Sequence, residues 1–166
     1  EVVERENGRD THGLIAQLRS GDAEQRRWAA RDLAGCGEAA GVMGERLVAD
    51  TDPRVRDALL TSLSATPGEA TVNALLPLLR SEDAVLRNGA IEALAEMPQA
   101  VAPRVATLLR DADADVRIFT VNILGLLKHP RVEEWLIAVL MHDGDVNTVG
   151  TAIDALAEVG TAAALP

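Results

Sequence analysis

Apolar residues recur along this chain at helical spacing and then break off, five times over. Aligned on Asp22, Asp52, Asp83, Asp113 and Asp145, the segments fall into register at spacings of 30, 31, 30 and 32 residues. Seven places after each Asp stand Ala29, Leu59, Ala90, Thr120 and Ala152, and eight places after stand Ala30, Leu60, Ile91, Val121 and Ile153. Eleven places after runs an unbroken column of Leu33, Leu63, Leu94, Leu124 and Leu156. With the third place, these offsets lie on one face of a helix. Gln25 departs from the apolar character of that third place in the first unit.

The segment before each Asp is helical in pattern too. Leu18, Val48, Leu79, Leu109 and Met141 lie four places before it, and Leu47, Leu78, Leu108 and Leu140 lie five before it. Gly35 and Gly37, Pro67-Gly68, Pro98, Pro130 and Gly160 close the units, as residues that end a helix and turn the chain. Asp suits an N-cap, where its carboxylate accepts an unpaired backbone N–H and complements the helix dipole. Pro53 directly after Asp52 fits the first helical position. Each unit therefore reads as helix, short turn, helix, longer turn. A two-helix unit cannot bury both apolar faces alone, whereas stacked units share one core. The prediction is an all-α fold: an α-solenoid of about five helical hairpins. The units fall at about 11–40, 41–70, 71–100, 101–130 and 131–160, in a single array over 11–166.

The unit Asp-x-x-(Val/Leu)-Arg-x-x-(Ala/Leu)-(Ala/Ile/Leu)-x-x-Leu resembles the HEAT-repeat family. DPRVRDALLTSL (52–63) and DAVLRNGAIEAL (83–94) match it best. The short period is similar to the compact, bilin-lyase-like (PBS lyase) branch. The resemblance covers 11–160 and is specific to fold. It implies an armadillo-like, right-handed superhelix with the second helices on the concave side. HEAT-repeat hydroxylases hold iron through His-Glu pairs, which this chain lacks.

Four places after the Asp column come Arg26, Arg56, Arg87 and Arg117, with Val149 in the last unit. These arginines read as a structural ladder with Asp22, Asp52, Asp83, Asp113 and Asp145, each Arg reaching the Asp cap or helix-end carbonyls of its own or the next hairpin. A guanidinium has five donors and suits several acceptors at once. The competing reading, an anion-binding stripe, is weakened because each Arg comes with an anion of its own.

The remaining face of the second helices is mostly small or polar. Trp28 and Phe119 are exceptions at the same offset, and Ile118 and Leu126 make the fourth second helix apolar nearly all round. Such a helix is either fully buried or presents an apolar patch. Gap filling between hairpins accounts for the two rings about as well. The functional expectation is a partner-binding face of Trp28, Arg27, Arg31, Ile118, Phe119, Asn122 and Leu126, since aromatics and Arg are enriched at binding hot spots. Trp135 reads as convex-edge packing without a role.

Composition narrows the function. The chain has 166 residues, 48% apolar and 2% aromatic, with a net charge of −10. That length buries a real core, and the apolar fraction excludes a disordered chain. Strong acidity argues against nucleic acid, which also disfavours a lesion-recognising glycosylase. No apolar run spans a membrane. Lone Cys36 excludes a disulfide framework and fits a reducing compartment, with cytoplasm the default. Gly35-Cys36-Gly37-Glu38-Ala39-Ala40 matches a dinucleotide fingerprint formally but follows a helix rather than a strand. Asp143, Asp145, Asn147 and Asp154 mimic a calcium loop but lack the sixth-position Gly. Asp111, Asp113 and Asp115 read as caps. Residues 1–10 read as a frayed tail, and 160–166, where the pattern would open another helix, as a continuing or truncated array.

The expectation is a HEAT-repeat scaffold mediating protein–protein interaction through its concave helix face. It calls for no cofactor, no metal and no catalytic residues. The partner is a protein of unknown identity, and a homodimer through exposed end repeats is a further possibility. The alternative, from the resemblance, is a bilin lyase-like factor handling a tetrapyrrole on an antenna protein.

Overall fold

A computed structural model describes residues 10–160. Residues 1–9 and 161–166, on which the expectations for the chain ends fall, lie outside the described residues. Ten α-helices and two short 3-10 helices follow one another, with no strand among the described residues. The fold is an all-α solenoid type. It divides after Leu78 into two compact units.

The first unit holds α1 (Thr11–Ser20), α2 (Ala23–Asp32), α3 (Ala40–Ala49), α4 (Pro53–Ser64) and α5 (Glu69–Leu75). In hairpins α1/α2 and α3/α4 the two helices pack on each other. The second helices, α2 and α4, also pack together, as do the first helices α3 and α5. That last approach depends on Gly44, where a Cβ would stand 2.7 Å from the Ala74 Cβ. The links between hairpins are tied as well. Buried Thr66 accepts the Gly35 N–H at 2.8 Å and donates to the Ser62 carbonyl at 2.6 Å. Gly35 has φ +83°, a left-handed turn that glycine adopts without steric cost.

The second unit holds α6 (Ala84–Ala95), α7 (Pro98–Leu108), α8 (Ala114–Leu126), α9 (Val132–His142) and α10 (Val146–Val159). Its second helices, α6, α8 and α10, pack in sequence. Gly125 of α8 leaves ordinary contact room for Ala155 of α10.

The predicted core face is the observed one. Leu33, Leu63, Leu94 and Leu124 are buried completely or nearly so, each contributing about 1.5–3 kcal/mol by leaving water. The last unit differs. Leu156 is half-buried and Ile153 is 54% exposed, because no described hairpin follows to cover them. Two details of the pattern differ from the sequence expectation. Pro98 opens α7 at its first helical position rather than closing the preceding helix. The column four places before Asp is mixed: Leu18 and Leu79 are buried while Val48 and Met141 face solvent, so the core stripe of the first helices shifts from unit to unit.

Candidate functional site

All five column Asp residues cap their helices. Asp22 accepts from the Gln25 N–H, Asp52 from Arg54, Asp83 from Val85 and Leu86, Asp113 from Asp115, and Asp145 from Asn147 and Thr148. The departure at Gln25 has a local cause. Its side chain accepts the Asp22 N–H at 2.9 Å, completing a capping box. Gln25 is therefore exposed rather than core.

The four arginines reach back to carbonyls at the end of the preceding first helix or the turn. Arg26 donates to the Gly21 carbonyl, Arg56 to Asp50, Arg87 to Ser81, and Arg117 to Asp111. For Arg26 and Arg117 the carboxylate partner is not an N-cap Asp of the column. It is the residue two places before the next cap: Asp50 and Asp143. The same residues receive the cap's own backbone N–H, as Asp52 to Asp50 and Asp145 to Asp143. Sequence reasoning missed this column, because Ser20 and Ser81 interrupt its acids.

Asp50 is completely buried between Arg26 at 2.6 Å and Arg46 at 2.8 Å. Burial alone would raise its carboxyl. Hydrogen bonds from Arg26, the Asp52 N–H and Arg46 outweigh that and hold it well below the usual carboxylate range. Asp143 shows the same balance, with Arg117 as the main donor. The Asp143/Asp145 pair is thus consumed by Arg117 and by the α10 cap, and Asp154 lies within α10. No group of three metal-ligating side chains occurs among the described residues.

Arg87 has no such carboxylate in its hydrogen bonds. Arg80 takes Asp111 at 2.5 Å and Asp113 at 3.3 Å. The Arg87 guanidinium instead lies 5.0 Å over the Phe119 ring, and its Nε is buried without an acceptor. Phe119 is half-buried as the platform for that arginine. On the same helix α8, Ile118 is half-buried, while Asn122 and Leu126 are exposed, Leu126 at 57%.

Trp28 projects from α2 and is 48% exposed. Arg27 and Arg31 each hold a guanidinium 5.5 Å from its ring centre. Among the described residues neither makes an ion pair, and the Arg27 Nε is shielded without an acceptor. Trp28, Arg27 and Arg31 are thus brought together in the first unit. Ile118, Phe119, Asn122 and Leu126 share α8 in the second.

Trp135 is a packed residue. It is buried at 6% exposure, stacked on His129 at 4.9 Å, with Arg131 5.1 Å over its ring. Beside it, α7 and α9 leave an open cleft of about 490 Å³ lined by residues such as Leu109, Arg110, Trp135, Val139 and His142. Cys36 is part-buried, 3.9 Å from the Thr11 hydroxyl, in a turn that no strand precedes. The dinucleotide fingerprint is therefore coincidental.

No helix among the described residues is long and apolar enough to cross a membrane. No curated protein matches the chain. Among solved structures, the crystal structure of an engineered protein is 21% identical, covering 93% of this chain and 84% of that one with a TM-score of 0.46. A family model described as HEAT repeats matches residues 11–95 and 101–166. The chain belongs to the HEAT-repeat family.

Proposed function

We propose that this chain is a protein-interaction scaffold that engages its partner through its second helices, the faces expected to be concave. HEAT repeats typically serve protein interaction, which supports the general reading. One observation carries the particular one. Trp28, one of only three Phe and Trp rings in the chain, stands 48% exposed beside two arginines that have no ion pair among the described residues. Exposing a large ring costs the free energy that burial would have gained. Partner contact recovers it, and tryptophan with arginine is the combination that dominates interface energetics. Leu126, Ile118 and Asn122 on α8 form a second apolar–polar face of the same kind.

Affinity purification of the protein from its source, run beside Trp28→Ala and Leu126→Ala, tests this. A partner retained by the parent and lost from a variant that melts normally is expected. Equal retention by all three would remove these residues from the interface. The bilin-lyase alternative needs a conjugated ligand. Titrating a bilin into the protein without an absorbance shift disposes of it.

A further inference from the structure

We propose that Trp28, Arg27 and Arg31 dock an acidic segment of a partner protein, with a carboxylate on the arginines and an adjoining apolar side chain against the ring. The proposal rests on the scaffold reading and names the partner's chemistry at one of its sites.

The chain carries −10 overall, and most of the arginines on its second helices are engaged by carboxylates or helix-end carbonyls. Arg27 and Arg31 are exceptions on one helix turn. A guanidinium placed over a ring keeps the N–H donors that do not face the ring; the Arg27 Nε is shielded, so the donors offered to a partner are those on the Nη atoms. Those donors match a carboxylate in a bidentate geometry.

Arg131 over Trp135 is the internal control. There the donors are spent on Glu134, at 2.9 Å from Nε and 2.8 Å from Nη2. At Trp28 no described residue pairs a carboxylate with either guanidinium, and a partner supplies it. Beside Arg27 lies a hollow of about 200 Å³ bordered by Ala23, Glu24 and Arg54. Arg54 is already paired with Asp52 at 2.8 Å. Glu24 presents a like charge to an incoming acid, so it lowers affinity and restricts where the acid sits. The net charge also selects among anions. A polyanion such as nucleic acid meets repulsion from the whole molecule, whereas a short acidic segment gains the contact pairs with little of that cost.

The test is to pan a displayed library of random peptides against the whole chain. The best binders are then synthesised with a fluorophore and titrated by anisotropy. The expected peptides place Asp or Glu beside a large apolar residue. Their affinity should fall at least about tenfold for R27E/R31E and for W28A, each with an unchanged melting curve. Arg27→Lys with Arg31→Lys should give an intermediate loss, because charge persists without the planar fork. Glu24→Gln should tighten binding. Selected peptides without acids, or binding indifferent to R27E/R31E, would overturn the proposal. Peptides lost only in Leu126→Ala would overturn it while leaving the scaffold reading intact. Failure to select any peptide would count against both. Equal competition by a single-stranded oligonucleotide of matched charge would replace the acidic segment with a polyanion.

Discussion

The two tryptophans of this chain have nearly the same chemical company and opposite circumstances. Trp135 lies under His129 and Arg131, is buried, and its arginine is held by Glu134. Trp28 has two arginines, half its surface open and, among the described residues, no carboxylate paired with either guanidinium. The first is a completed structural unit. The second has the same parts with one component missing. Neighbours along α2 sharpen the difference. Arg26 is bound to buried Asp50, while adjacent Arg27 has only the ring. One residue of helical rotation, about 100°, separates a side chain that closes the hairpin from one available to a partner.

Groups that are already paired or buried are the most sensitive to substitution. Asp50→Ala should cost the most, about 4 kcal/mol, because it strands Arg26 and Arg46 around a buried vacancy. Chemical denaturation checks this, and a loss below about 1 kcal/mol would mean that Asp50 is not structurally required. Trp135→Ala should cost about 3 kcal/mol, the low end for a buried ring, since the neighbouring cleft admits water to the space left behind.

Acid should act next. The carboxyls of Asp50 and Asp143 are held below their unfolded values. Their stabilisation is therefore fully present above the unfolded pKa of about 4 and lost as pH falls through the folded one. Denaturant midpoints should drop between neutral pH and about pH 3, and Asp143→Asn should show a shallower drop than the parent. Trp28→Ala should have the smallest effect, changing stability by less than about 1 kcal/mol while removing partner binding.

Much of this organisation was legible in the sequence. The Asp column gave the caps, because capping is a contact within a few residues, and the Leu column gave the core, because the helical period sets those residues on the one face that neighbouring helices cover. The Gly and Pro breakers were legible as turns but not as to side: Pro98 sits at the start of a helix, where its missing N–H has no partner to lose. The anions of the Arg column were not legible. They belong to the following hairpin, and serine alternates with aspartate at their position. The burial of Trp135 and the cleft beside it depend on the gap between α7 and α9, a spacing that no single helix encodes. At Trp28 the residues were identifiable from the sequence, but that no described carboxylate pairs with its two arginines was not.

The most direct test of that difference is quenching of tryptophan fluorescence by charged ions, in Trp135→Phe and Trp28→Phe proteins with one tryptophan each. With Trp28 alone, emission should be quenched strongly, and more by iodide than by caesium, as the two arginines beside the ring require. With Trp135 alone, both ions should quench weakly. Equal quenching in the two proteins, or caesium exceeding iodide at Trp28, would contradict the account.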